Sequence, residues 1–135
     1  MPVAVANSES AQGQAALRLA AAQARRQHTD LLSIRVVDDG ETWPDEAARR
    51  TAEARVDATL AAADLGEVPR QLLWAAADPD RAATLVDCAV RYGADLLVIG
   101  ARRRSPLGSF LLGSTVQRVV LDAPMPVFVV KAAEL

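Results

Sequence analysis

The fold is decided by the stretch Leu96 to Lys131, LLVIGARRRSPLGSFLLGSTVQRVVLDAPMPVFVVK. It opens with four apolar residues, Leu96 to Ile99, that run without a polar break, as is typical of a parallel strand covered on both faces. We expect this strand to stop at Gly100, where the backbone must turn. A basic loop, a helix and a final apolar strand from Met125 to Val130 complete the stretch.

The helix start after the basic loop is predicted to favour anions. Ser114 and Gln117 have the spacing of a capping box, in which the Ser114 hydroxyl accepts from the backbone N–H of Gln117 and the Gln117 side chain reaches back. Free N–H groups and the helix dipole both favour a negative charge at such a terminus. This segment is therefore the strongest candidate for a ligand contact in the sequence.

Length and composition limit the class of protein. The 135 residues suit a single domain, residues 1–135, and a net charge of −2 gives no reason to expect nucleic acid or a membrane as partner. One cysteine, Cys88, excludes an intrachain disulfide and fits a reducing compartment. The N-terminus lacks the features of a signal peptide, and no apolar run has the length of a membrane span. We therefore expect a cytoplasmic protein.

Strands and helices alternate along the rest of the chain. The predicted elements before Leu96 are strands at Pro2–Ala6, Asp30–Val37 and Arg70–Ala76, and helices at Gln12–Gln27, Asp45–Leu65 and from Asp78 to about Tyr92. Five strands separated by crossovers of helical length indicate parallel pairing, and so a doubly wound α/β sheet. Ligands of such sheets sit outside the carboxyl ends of the strands, where the strand order reverses.

Three helix ends carry their own predictions. Gly66 is expected as the C′ residue that ends the second helix. Asp78 and Pro79 have the pattern of an N-cap followed by a proline at the first helical position of the third helix. Gly93 is expected to stop that helix.

Four segments together form a family pattern: VAVANSES near the start, VVDD at the end of the second strand, ADPDRAATLVDCAVRYGADLLVIG through the third helix and fourth strand, and LLGSTVQRVVLDAPMPVFVV at the end. The pattern resembles the universal stress protein family over essentially the whole chain. The resemblance implies a five-stranded parallel sheet of order 3-2-1-4-5, Rossmann-like, with helices on both faces. It also implies a homodimer.

Many members of that family bind ATP through a pattern of glycine, two residues, glycine, nine residues, glycine, then serine or threonine. Gly100 and the pair Gly113-Ser114 stand at matching positions, but Arg103 replaces the second glycine. Ala6 stands where nucleotide-binding members have an aspartate that contacts the adenosine. The resemblance therefore implies a degraded ATP motif, with ATP, ADP or AMP as the candidate ligands.

The candidate nucleotide or anion site consists of Val36, Gly100, Arg102, Arg103, Gly113, Ser114 and Thr115. Val36 matches a family position that meets the adenine through its backbone. The arginine run has two interpretations: a phosphate clamp, because guanidinium binds phosphate in a forked, charge-assisted way, or a solvated loop. Gly100 and Gly113 likewise have a purely structural interpretation, as a strand-end glycine and a helix-start glycine.

The last strand predicts a contact between two copies of the chain. In the order 3-2-1-4-5 it lies at the sheet edge, where an exposed apolar strand favours pairing with another chain. The resemblance implies pairing of the equivalent strands across a two-fold axis, with Val127, Phe128, Val129 and Val130 as the candidate interface. The alternative is an edge covered by the chain's own C-terminal tail, Lys131 to Leu135.

No positioned base, nucleophile or metal-ligand cluster is evident, so we expect no catalytic residues, no metal and no enzyme. One function class is a non-catalytic stress-response or regulatory module, a homodimer whose pocket between the first and fourth strands has weak or altered nucleotide or anion binding. The other is a genuine ATP- or AMP-binding member with slow or no ATP hydrolysis. Ala6 and Arg103 favour the first class.

Overall fold

The computed structural model describes residues 1–102 and 112–132. The elements in chain order are β1 (Val3–Ala6), α1 (Ala11–Arg26), β2 (Leu31–Val37), α2 (Glu46–Ala62), β3 (Arg70–Ala76), α3 (Arg81–Arg91), β4 (Leu96–Arg102), α4 (Ser114–Asp122) and β5 (Val127–Ala132). All neighbouring strands pair in parallel, in the order β3-β2-β1-β4-β5. The predicted fold class and strand order are confirmed. Among the helices that the structure describes, none combines the length and hydropathy of a membrane span.

Side chains of the central strands alternate between two cores, one on each face of the sheet. On one face, Val3, Val5 and Val98 pack with Leu17 of α1. The buried positions of α1 are otherwise small: Gly13, Ala16, Ala20, Ala21 and Ala24. These small side chains let α1 lie close to the sheet. The second core, on the other face, contains Leu97 of β4 and packs under α3 and α4.

The prediction that the fourth strand stops at Gly100 is wrong. β4 continues to Arg102, and Gly100 pairs with Val130 of β5. Glycine is needed here for space, because the backbone of Gln12 in α1 occupies the position that a Cβ would take. The residue therefore permits close approach of a helix to a strand instead of a turn.

The predicted cap of α3 is also wrong. The N-cap is Asp80, whose carboxylate accepts from the N–H of Ala83 at 2.9 Å. Asp78 lies in the preceding turn, where its N–H donates to the hydroxyl of Thr84 at 2.8 Å. The sequence Asp-Pro-Asp offers two capping carboxylates, and the turn places the second one at the helix start. Gly93, with a φ of 71°, follows the end of α3 as predicted.

The end of α2 differs from the prediction in the same way. Asp64 adopts a left-handed φ of 61° and takes the C′ position expected of Gly66. The N–H groups of Asp64 and Leu65 bond to the carbonyls of Ala61 and Leu60, which is the Schellman pattern. Burial of Leu65 fixes this end two residues before the glycine.

Candidate functional site

A cavity of about 280 Å³ lies at the carboxyl ends of β1, β2 and β4, where the strand order reverses. We refer to it as the switch-point cavity. Its apolar lining faces the core under α3 and α4, and consists of Ala6, Ile34, Val36, Leu85, Ile99 and Val116. A flat apolar group, such as a nucleobase, suits this lining.

The rest of the lining is polar or backbone. It consists of Asn7, Ser8, Glu9, Gln12, Gly13, Arg35, Glu41, Arg81, Gly100 and Thr115. These residues come from the loop after β1, the start of α1, β2 and its following loop, and the starts of α3 and α4. The cavity therefore combines an apolar floor with a polar rim, which is the usual composition of a small-molecule site.

The structure brings together Val36, Gly100 and Thr115 from the predicted site. Gly113 and Ser114 begin α4 beside Thr115 but do not line the cavity. The backbone of Arg102 ends β4, whereas its side chain and all of Arg103 lie outside the residues that the structure describes.

The start of α4 differs from the predicted capping box. Gly113 is the N-cap and Ser114 is the first helical residue, so the Ser114 hydroxyl is one position too late to cap Gln117. The Gln117 side chain does reach back, but its amide nitrogen donates to the carbonyl of Leu112 at 2.7 Å. As at any helix start, the first N–H groups have no partner within the helix, so the preference for an anion does not depend on the capping box.

A polar network crosses from β1 to β2 on the rim of the cavity. The amide nitrogen of Asn7 donates to the buried hydroxyl of Ser33 at 2.9 Å, and its amide oxygen accepts from Arg35 at 3.0 Å. Arg35 also lies 3.8 Å from a carboxylate oxygen of Glu9, which pairs in addition with Arg55 of α2. Sequence reasoning missed this network, although Ser33 and Arg35 are two residues apart in an otherwise apolar strand and so share a face.

A second ion pair, between Arg81 and Asp38, lies beside the cavity. Arg81, the first residue of α3, donates through two nitrogens to the two carboxylate oxygens of Asp38, which follows β2. The hydrogen bond from Arg81 lowers the pKa of the Asp38 carboxyl despite an opposing effect of burial, and the same bond raises the pKa of Arg81. Glu41 adds a third contact by accepting from the N–H of Asp38 at 3.1 Å. These contacts tie the end of β2 to the start of α3.

The charged groups on the rim balance one another. Glu9 and Glu41 are acidic, and Arg35 and Arg81 each contact a carboxylate. Among residues 1–102 and 112–132, the start of α4 is therefore the main feature that attracts a phosphate. The same residues contain no group of three or more His, Cys, Asp or Glu side chains that could hold a metal.

A family model and a curated relative identify the same family. A family model described as the universal stress protein family matches residues 1–131. A curated protein of Mycolicibacterium smegmatis named universal stress protein is 35% identical over 120 residues, which is 88% of each chain.

Solved structures share the fold at nearly full length. A universal stress protein from Archaeoglobus fulgidus is 25% identical, with a TM-score of 0.76 over 97% of this chain and 98% of that one. A structure described as the universal stress protein from Archaeoglobus fulgidus in complex with dAMP is 22% identical, with a TM-score of 0.73 over 97% and 98% of the two chains. At that identity the second likeness concerns the fold alone.

Proposed function

The chain belongs to the universal stress protein family, and from this premise we propose that it is a non-catalytic stress-response or regulatory module with weak or altered nucleotide binding in the switch-point cavity. The observation that carries the proposal is the position of Ala6. Its methyl group forms part of the apolar floor and packs against the core under α3 and α4. A methyl group supplies no hydrogen-bond acceptor to a ribose or a base.

The loss of that acceptor lowers the affinity by a measurable amount. One good polar contact contributes about 1–3 kcal/mol, which corresponds to roughly ten- to a hundredfold in affinity. The remaining features still suit a nucleotide: an apolar floor for a base, and the start of α4, whose first N–H groups have no partner within the helix, for a phosphate. The result is a weak site, with affinity set by apolar contacts to the base and by the anion contact.

The size of the cavity supports a small nucleotide. At about 280 Å³ it is slightly smaller than most small-molecule sites, which span roughly 300–1,000 Å³. The relative whose structure is described as a complex with dAMP shares the fold, and dAMP has a single phosphate. We therefore expect AMP to bind at least as well as ATP.

The alternative is a genuine ATP- or AMP-binding member with slow or no ATP hydrolysis. The start of α4 favours it, because this anion-binding feature is retained beside Gly100 and Thr115. Under this alternative Arg102, Arg103 and Arg104 offset the loss of the aspartate at position 6 and of the second glycine at position 103. The affinity for ATP separates the two functions.

Isothermal titration calorimetry tests the proposal. ATP, ADP, AMP and cyclic AMP are titrated into the protein with magnesium, after its absorbance ratio has excluded co-purified nucleotide. We expect dissociation constants from roughly 0.1 mM upward, with ATP no tighter than AMP. Binding of ATP at about 1 μM, or its preference over AMP by about tenfold, would establish the alternative.

The proposed assembly is a homodimer paired through β5. This strand lies at the sheet edge and pairs with β4 on one side. Phe128 is 40% exposed, and Val127, Val129 and Val130 are half-buried, so the strand presents apolar side chains beside an open edge. Pairing with the same strand of a second copy would cover both.

A further inference from the structure

A second cavity of about 490 Å³ lies between the loop of residues 38–45, α2 and the ends of β2 and β3. Both tryptophans of the chain, Trp43 and Trp74, line it, and we name it the tryptophan cavity. Its volume is within the range of small-molecule sites. It shares Glu9, Arg35, Val36 and Glu41 with the switch-point cavity, but no tryptophan lines that cavity.

One wall of the tryptophan cavity is a stacked pair. The guanidinium carbon of Arg35 lies over the ring of Trp74, 5.7 Å from its centroid. Asn7 and Glu9 hold the same guanidinium from the side of the switch-point cavity. Arg35 therefore has a fixed position beside the indole, and planar groups stack well on both guanidinium and indole.

Trp74 also carries an unpaired donor. Its indole N–H is buried and has no hydrogen-bond partner among the residues that the structure describes. Buried tryptophan N–H groups usually have an acceptor, because leaving one unpaired is costly. Since this N–H is covered by protein, the part of Trp74 that a molecule in the cavity can contact is its ring.

The other wall provides an accessible aromatic surface. Trp43 lies in the loop before α2 and is 46% exposed. A large indole on a loop, facing the same cavity as a second indole, is typical of a site that stacks a planar ligand. Thr42 and Thr51 also line the cavity.

The charges select against an anionic ligand. Three carboxylates, Glu9, Glu41 and Asp45, line the cavity, and its two guanidinium groups, Arg35 and Arg55, both contact Glu9. A negatively charged ligand would therefore be repelled by these carboxylates, whereas a positively charged ligand would be repelled by Arg35 beside Trp74. A neutral ligand avoids both costs.

We propose that the tryptophan cavity binds an uncharged, planar heteroaromatic molecule that stacks on the rings of Trp43 and Trp74. This site is separate from the nucleotide site and does not depend on the proposed function. The two cavities share a wall at Arg35, so a ligand in one changes the surroundings of the other.

The two indole N–H signals provide a direct test. A ¹⁵N-labelled sample gives one indole signal from each tryptophan, and both residues line the cavity. Quinoxaline serves as the neutral probe, and quinoxaline-2-carboxylate has the same ring with a negative charge. We expect saturable shifts of both indole signals with quinoxaline, with a dissociation constant below about 1 mM, and binding of the carboxylate at least about tenfold weaker.

Two variants and one control locate the binding. Trp43→Ala, in an exposed loop, should weaken quinoxaline binding about tenfold because it removes the stacking surface. Trp74→Leu keeps an apolar side chain and removes the ring, and should weaken binding about fivefold or more. Tyr92→Ala removes an aromatic residue of similar exposure, 40%, that does not line this cavity, and should leave the affinity unchanged.

Three results would overturn the proposal. Shifts that remain linear in quinoxaline concentration would show that no site exists. Equal affinity for the carboxylate would show that the acidic lining does not select the ligand. Unchanged affinity in Trp43→Ala, read from the Trp74 signal, would place the binding elsewhere.

Discussion

Gly100 of β4 lies directly against Gln12 of α1, so that a Cβ built on the glycine would be 2.4 Å from the carbonyl oxygen of Gln12. Any other side chain at this position must push the start of α1 away from the sheet. Because α1 covers β1 and β4 through small side chains, the contact sets the distance between helix and sheet. It also shapes the switch-point cavity, which both residues line.

We therefore predict that Gly100→Ala lowers the free energy of unfolding by about 1–3 kcal/mol, the usual cost of overpacking a well-packed site. Urea denaturation followed by circular dichroism measures it. Gly66→Ala is the matched control, because the nearest atom to its Cβ would be 3.8 Å away and its φ is not left-handed. Equal stability of the two variants would show that α1 moves freely at this point.

Gly100 also shows which features of the fold can be predicted from the sequence and which cannot. Apolar runs, helix-length crossovers and capping residues predict the parallel sheet and its elements, because these are local signals. The role of Gly100 is not local, since it depends on a helix that begins almost ninety residues earlier in the chain. The sequence singles out Gly100, but the role that it predicts, a turn at the end of the strand, is wrong.

The candidate site likewise contains residues that the sequence predicts and contacts that it does not. Val36, Gly100 and Thr115 meet because the carboxyl ends of parallel strands share one edge of the sheet. Contacts such as Asn7 with Arg35 depend on the register of β1 against β2, which pairs Ala6 with Ile34. Sequence patterns do not determine register to one residue without a turn that fixes it.

Restoring the family motif should restore nucleotide affinity. The double variant Ala6→Asp, Arg103→Gly returns the acceptor and the second glycine that the resemblance implies for ATP binding. We expect ATP to bind at least about tenfold more tightly than to the wild type, because one polar contact alone is worth that much. Calorimetry under identical magnesium and salt measures the change.

The control for that experiment is the double variant Arg49→Gln, Ala54→Asp, which lowers the net charge by the same two units at exposed positions of α2. It should leave ATP binding unchanged. If the double variant binds ATP no better than this control, the weakness of the site does not arise from Ala6 and Arg103.

The pair of Asp38 and Arg81 predicts a dependence of stability on pH. Its hydrogen bond lowers the pKa of Asp38 below the ordinary value of 3.8. A carboxyl with a lowered folded pKa stabilises the protein above its unfolded pKa, and this contribution is lost as the pH falls through the folded pKa. The stabilisation by Asp38 is thus complete at pH 6 and disappears in the acid range below about 3.8.

A double-mutant cycle measures this contribution. Urea denaturation of the wild type, Asp38→Asn, Arg81→Gln and the double variant should give a coupling below about 1 kcal/mol at pH 6, because both side chains are partly exposed. The coupling should become smaller as the pH is lowered from 6 into the acid range below about 3.8. A coupling that is independent of pH would rule out ionisation of Asp38 as its source.

The edge strand predicts the oligomeric state. Sedimentation velocity at micromolar concentration should show a dimer for the wild type and a monomer for Phe128→Asp, because a charge on the exposed ring position opposes pairing of two copies of β5. Val90→Asp introduces the same charge at an apolar position of α3 that is 52% exposed, and should remain dimeric. Dissociation by Val90→Asp alone would move the interface from the sheet edge to the helical face. A wild type that sediments as a monomer at these concentrations would overturn the proposed pairing of two copies of β5.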